Sequence, residues 1–144
     1  MPTTTAFSVV TPAELKFEGQ ADIVVAPGSA GDLAALVSHA PLLTTLRIGV
    51  LRANVRRPAQ DGKAEVQRVE FAVTGGFMEI LPDKVVVLTD VALAAVEIDT
   101  DEARAELKQA EEALVQKRGA DDAVERRAVA WACAKLETAH HAQR

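Results

Sequence analysis

At Asp99 the sequence changes its grammar, and that switch constrains the fold more than any other feature. Up to about Ile98, apolar residues fall in short runs bounded by Gly, Pro, Asn or Asp, and Val and Ile are frequent. From Asp99 to Lys117 there is no Gly or Pro, and Ala, Glu, Leu and Lys dominate. The first pattern is that of strands and the second that of a helix. Residues 1–98 therefore read as an all-β domain and residues 99–144 as a helical one.

The β runs are Phe7–Val10, Ile23–Val25, Ile48–Leu51, Val69–Val73 and Val85–Leu88. In the fourth, Val69, Phe71 and Val73 share one face, while Glu70 and Ala72 share the other, which predicts an antiparallel strand with one wet side. The run around Val86 is apolar on both faces and predicts a central strand. Pro58 to Gly62 reads as a hairpin loop with Asp61-Gly62 as its tight element. Gly75-Gly76 predicts a sharp reversal or a bulge, and Leu81-Pro82-Asp83-Lys84 a turn in which Pro82 fixes φ. Many short strands at this spacing indicate a sandwich or a flattened barrel.

In the helical part, Asp99 and Glu102 are spaced as a carboxylate capping box, and Ala103, Leu107, Ala110 and Leu114 fall on one face. Lys117 and Arg118 suit the negative pole of that helix, and Gly119 is a stop. Asp121 or Asp122 then caps a second helix, predicted to run to about Thr138 and to fray at His140 and His141. A short loop forces the pair antiparallel. Ala128 to Ala134 is apolar almost all the way round, so part of it must face a third body, either the sandwich or another chain.

Composition excludes several functions. A net charge of −5 with scattered basic residues does not suit a nucleic-acid surface. Aromatics are 3%, which leaves little for stacking on sugars or single strands, and the core must be built from Val, Leu, Ile and Ala. The single cysteine, Cys133, excludes an intramolecular disulfide and a Cys-rich zinc site. Cys133 with His140 is too few ligands for a metal, so no metal site is expected. No apolar run approaches the roughly 20 residues of a membrane-spanning helix, and Met1–Phe7 lacks a signal-peptide pattern. A bacterial cytosolic protein, without direct membrane insertion, is expected.

The segment Pro27-Gly28-Ser29-Ala30-Gly31-Asp32-Leu33, followed by His39-Ala40-Pro41-Leu42-Leu43-Thr44-Thr45-Leu46, resembles the hallmark of ATP synthase epsilon subunits. Gly75-Gly76-Phe77-Met78-Glu79-Ile80, Val85 to Asp90 and Asp101-Glu102-Ala103-Arg104-Ala105 resemble further pieces of that family, in its order. The resemblance covers Phe7 to about Leu136. It implies an antiparallel β-sandwich of about ten strands followed by an antiparallel α-helical hairpin, in a non-catalytic central-stalk subunit of the proton-translocating ATP synthase. It also implies that the sandwich joins the gamma subunit to the c ring. The hairpin would oppose ATP hydrolysis by reaching the alpha and beta subunits of the catalytic head. The location implied is peripheral, on the cytoplasmic face of the bacterial inner membrane.

The resemblance assigns residues as well. The Gly28–Asp32 loop lacks the Gly-Lys-Ser/Thr ending of a phosphate loop; in the family it touches the c ring, with Gly31, Asp32 and His39 at the matching positions. Asp32 can accept hydrogen bonds from that ring, and His39 either joins the contact or is a turn residue held by its own backbone. Many members carry Glu where Ala30 and Asp32 stand here. Asp101-x-x-Arg104-Ala105 resembles an ATP-binding motif, to which Arg126 or Arg127 can add a phosphate contact. Thr100 stands where the motif has Ile or Leu, so the resemblance implies at most a weak regulatory ligand, and no required cofactor. The simpler reading is that Asp101 favours the positive helix end and Arg104 is solvated. Lys108, Lys117, Arg118, Arg126, Arg127 and Lys135 read as a solvated face that the family draws to an acidic segment of the beta subunit, and Trp131 as an anchor. The rival reading is a free-standing β-sandwich binding module with a helical appendage. A small enzyme has no nucleophile or metal constellation to support it.

Overall fold

Alternating apolar residues build the strands, and three of them are much longer than their apolar runs. The computed structural model describes residues 3–58, 62–117 and 121–142. Its strands are β1 (Thr5–Val10), β2 (Leu15–Gly28), β3 (Gly31–Leu36), β4 (Leu42–Pro58), β5 (Ala64–Leu81), β6 (Lys84–Leu88) and β7 (Ala92–Ala94). A 3-10 turn (Ala95–Glu97) leads into α1 (Thr100–Lys117) and α2 (Ala123–Ala142). The pairing order β1-β6-β5-β4-β2-β3 is closed by a further β1–β2 pairing, and β7 adds to β5.

Seven strands, rather than about ten, are present among the described residues because β2, β4 and β5 run on through both layers of the sandwich. The sheet is also not wholly antiparallel, since β1 pairs with β6 in parallel, Phe7 opposite Val85 and Val9 opposite Val87. That pairing puts β6 between β1 and β5, the central place expected of it. The Pro82-Asp83 turn is present, with Leu81 paired to Lys84. Asp61 of the expected hairpin loop, Arg118 and Gly119 lie outside the described residues.

Gly75-Gly76 is neither a reversal nor a bulge. The β4–β5 register holds from Leu42↔Ile80 to Pro58↔Ala64 without a shift. The glycines, at φ +98° and +120°, instead rotate β5 so that its buried side changes. Phe71 and Val73 face the core before them, Met78 and Ile80 after them. β4 changes in step, from Leu46 to Leu51, Ala53 and Val55. At the same level β5 exchanges β7 (Phe71–Val73) for β6 (Phe77–Leu81) as its second partner. Strand pairs can keep their hydrogen bonds through such a twist only where a residue tolerates positive φ.

The core holds Phe7, Val9, Val24, Leu51, Met78, Ile80, Val85 and Val87, all essentially inaccessible. Phe17 tilts against both Phe7 and Phe71 at 5.6 and 5.8 Å between ring centres. The helices begin as their caps predict. Asp99 Oδ1 accepts from the amides of Asp101 and Glu102, both at 3.1 Å. Ala103 and Ala110 are buried, and Leu107 and Leu114 half-buried, as the predicted face requires. Ion pairs Glu106–Lys135 (2.5 Å) and Lys117–Glu125 (3.3 Å) set the two helices in opposite directions.

Candidate functional site

α2 lies between α1 and the sandwich, and the surface it covers is the face expected to be wet. Ala132, Ala134, Thr138 and Ala139 are its buried residues, and Ala134 and Thr138 line clefts shared with the sandwich. The helix rests on β4 and β5, where cross-strand pairing aligns Val50 with Ala72 and Arg52 with Glu70. Ala72 is fully buried and the Glu70 side chain only 8% exposed. The Glu70/Ala72 face is therefore a docking face, because α2 supplies it with small side chains that no loop or solvent replaces. The all-round apolar stretch of α2 finds its third body in the sandwich.

Two clefts flank this contact. One, of about 280 Å³, is lined by Asp32, Arg47, Gly49 and Arg52 on the sandwich and by Ala130, Cys133 and Glu137 on α2. The other, of about 1060 Å³, lies beneath the end of α2, between Phe17, Arg52, Arg68, Phe71, Val96 and His141. His140 and His141 are not a frayed tail. α2 continues to Ala142, His140 is exposed, and His141 Nδ1 donates to Glu70 at 2.9 Å. The signal was present in the sequence: Ala130, Ala134, Thr138 and His141 share one helical stripe.

At the β2–β3 turn, Asp32 is already engaged. Its Oδ1 accepts from Arg47 Nη2 at 2.7 Å, while Arg47 Nη1 donates to the Gly28 carbonyl at 2.7 Å. Sequence reasoning missed Arg47, a lone cation in the apolar start of β4. Gly31, at φ +133°, closes the turn, and a Cβ on Gly28 would lie 2.4 Å from the Gly31 carbonyl oxygen. Asp32 remains 57% exposed and so still faces outward. His39 Nδ1 donates to the Ala40 carbonyl at 2.6 Å, the self-held turn arrangement. Exposed Leu36, Leu42 and Leu43 flank its loop.

The ATP-like motif on α1 and the arginine expected to join it from α2 are not brought together. Asp101 and Arg104 stand 3.5 Å apart, both largely exposed, on the first turn of α1. Arg126 is on the first turn of α2, paired to Asp122 at 2.9 Å. With Lys117 level with Glu125, Arg126 sits near the far end of α1, on the order of 20 Å along the helix axis from Asp101 at 1.5 Å per residue. Arg127, Lys108 and Ala105 are exposed. Lys117 is tied to Glu125. Lys135 is not part of a solvated face: it pairs with Glu106, is 12% exposed, and lies 5.5 Å from the ring centre of half-buried Trp131. Among the described residues no helix is long and apolar enough to cross a membrane.

The profile of the family described as ATP synthase, Delta/Epsilon chain, beta-sandwich domain matches residues 4–95. The ATP synthase epsilon chain of Desulforamulus reducens is 41% identical over 117 residues, 81% of this chain and 82% of its own. That of Laribacter hongkongensis is 40% identical over 131 residues, 89% of this chain and 87% of its own. A chain of the Euglena gracilis mitochondrial ATP synthase (OSCP/F1/c-ring, rotational state 1) shares the fold with a TM-score of 0.70 at 18% identity, covering 100% of this chain and 84% of that one. A chain from the central stalk and c-ring of the Tetrahymena thermophila enzyme gives 0.54 at 15% identity, covering 97% and 96%. The chain therefore belongs to the ATP synthase epsilon chain family, as a non-catalytic rotor subunit of that enzyme.

Proposed function

We propose that residues 1–98 join the gamma subunit to the c ring at the cytoplasmic face of the bacterial inner membrane, and that residues 99–144 are a brake on ATP hydrolysis, held here in its withdrawn position. The observation that carries the brake is the layering. α1 rests on α2, and α2 packs on the sandwich, largely through small side chains flanked by open clefts. Small side chains leave little apolar area in contact, so this helix pair can exchange one partner for another at modest cost.

The ring contact is assigned to the turn carrying Gly31 and Asp32, with His39 and its exposed leucines beside it. The gamma contact is assigned to the exposed cross-strand pair Phe77 and Leu88 and the adjoining cleft of about 420 Å³ that includes Thr11 and Pro12. An apolar pair half open to solvent beside a groove is a surface that a partner covers. In the extended position, Lys108, Arg118, Arg127 and Trp131 would meet the alpha and beta subunits, and Lys117 and Arg126 would first leave their carboxylates. ATP has no role in this reading, because the separated arginines do not form one phosphate site.

The test is ATP hydrolysis by the matching catalytic head, stripped of this subunit and supplied with either the full chain or a truncation ending at Ile98. Gamma binding is measured in the same samples. Both proteins should bind and only the full chain should slow hydrolysis. Equal hydrolysis rates with both bound would remove the brake and leave coupling alone.

A further inference from the structure

The Gly28–Asp32 turn is made of residues that do not hold their own shape. Gly31 sits at φ +133°, and glycine loses more conformational freedom on folding than any other residue. The β2–β3 ladder ends at the Gly28↔Gly31 pair, so Ser29 and Ala30 lie beyond it. What fixes the turn comes from β4. The Ser29 amide donates to the Thr45 carbonyl at 2.9 Å, and the Ser29 and Thr45 hydroxyls share a hydrogen bond of 2.7 Å. Two residues further along β4, the Arg47 guanidinium spans the base of the turn. Its Nη1 donates to the Gly28 carbonyl and its Nη2 to Asp32 Oδ1, each at 2.7 Å. We infer that Arg47 is the positioning residue of the ring contact: by gripping both arms of the turn, it sets the direction of the Asp32 carboxylate before a partner arrives.

The inference rests on the reading of this turn as the ring contact, and three observations carry it. First, the two acceptors belong to different arms of the turn, Gly28 on β2 and Asp32 on β3. One is a main-chain oxygen and the other a side-chain oxygen, so the planar fork ties carboxylate to backbone rather than merely pairing charges. Second, Arg47 and Asp32 are 48% and 57% exposed. An ion pair so open to water adds little to global stability, which leaves local order as its effect. Third, among the described residues only Oδ1 of Asp32 is engaged. The other oxygen is a single acceptor with a preset direction, suited to one ammonium, guanidinium or amide donor on the ring. A segment already held in its bound shape does not have to be ordered on binding, and affinity rises accordingly.

The arrangement has a rival meaning with the opposite sign. Arg47 competes for the carboxylate that a ring donor would use, and its positive charge repels a basic one. If attraction to the bare carboxylate governed the contact, removing Arg47 would strengthen ring binding. If the direction of the carboxylate governs it, removing Arg47 weakens ring binding even though a competing cation has gone. The glycines favour the second outcome, because a turn with this much backbone freedom and no clamp presents Asp32 in many directions.

The experiment measures binding of the full chain, in complex with gamma, to the detergent-solubilised c ring by biolayer interferometry. The parent is compared with R47Q, R47K, D32N and the double variant R47Q/D32N. Amide hydrogen exchange of Ser29 to Asp32 is followed in the unbound full chain, with the β4–β5 amides as the reference for an intact fold. R47Q should speed exchange at the turn, leave β4–β5 unchanged and weaken ring binding about tenfold, the scale of one hydrogen bond to a charged group. R47K keeps the charge without the fork and should fall between R47Q and the parent. D32N should also weaken binding, and the double variant should lose no more than D32N does, because Arg47 acts through Asp32. Ring binding by R47Q as tight as the parent's, or tighter, would overturn the inference, and so would additive losses in the double variant. Loss in D32N without loss in R47Q sinks the positioning role alone. If the parent holds gamma but not the ring, or D32N binds the ring as the parent does, the ring reading of this turn fails and the inference fails with it.

Discussion

Replacing Gly76 by alanine should unfold the end of the sandwich that carries the exposed Phe77–Leu88 pair. A Cβ built on Gly76 falls 2.0 Å from the Leu88 carbonyl oxygen, 3.0 Å from its carbonyl carbon and 3.1 Å from Thr89 Cα. All three are backbone atoms, so no side chain can rotate away. An ordinary carbon–oxygen approach is about 3.3 Å, and β6 would have to retreat by roughly 1.3 Å to restore it. That retreat breaks the Phe77↔Leu88 pairing and disturbs buried Val87. Forcing alanine to φ +120° adds about 1–3 kcal/mol, overpacking about 1–3 kcal/mol, and a lost ladder hydrogen bond about 1 kcal/mol. The expected cost is about 3–7 kcal/mol, a large part of the stability of a domain this size. Gly62 supplies the control. It also has positive φ, +80°, but a Cβ there meets nothing within 4 Å, so G62A should cost about 1 kcal/mol. Urea unfolding followed by far-ultraviolet circular dichroism measures both. If the two variants lie within about 1 kcal/mol of each other, the close approach of β6 to Gly76 is not what requires glycine there.

Three further outcomes are expected. The Lys16 ammonium, donating to Glu97, holds that carboxyl below its ordinary 4.5, against the opposing effect of burial and with help from the Ala94 amide. The stabilisation is therefore present above 4.5 and lost as pH falls through the lowered value, so the urea midpoints of the parent and E97Q should differ at pH 7 and converge near pH 3. D99A removes the acceptor of two amides at the start of α1; it should cost about 1 kcal/mol and speed exchange of the Asp101 and Glu102 amides selectively. Truncation after Ile98 uncovers the face of Val50 and Ala72, so the shortened chain should remain folded by circular dichroism but bind a hydrophobic dye that the full chain does not.

The residues chosen for the candidate sites show where sequence reading ran out. Asp32 was identifiable because its loop carries a recognisable string of small residues, but its partner Arg47 is 15 positions away on another strand, and nothing local links them. His141 follows the last strongly apolar turn, a place where the sequence predicts fraying. Whether such a residue is wet depends on what lies opposite, and Glu70 is 71 positions away. Lys135 misled in the same manner, since its partner Glu106 belongs to the other helix.

Local chemistry is what the sequence determines by itself. The change from period two to period 3.6 at Asp99 is written in consecutive residues, and so are the cap at Asp99, the Pro82-Asp83 turn and the apolar face of α1, because each depends on neighbours within a few positions. Tertiary structure decides what depends on distant pairing. It merges short runs into three long strands and makes β1 and β6 parallel. It turns Gly75-Gly76 into a twist rather than a reversal, and it lays α2 over a strand face that alternation alone marks as wet. Alternation records which residues share a side of a strand; only the arrival of another element decides whether that side meets water.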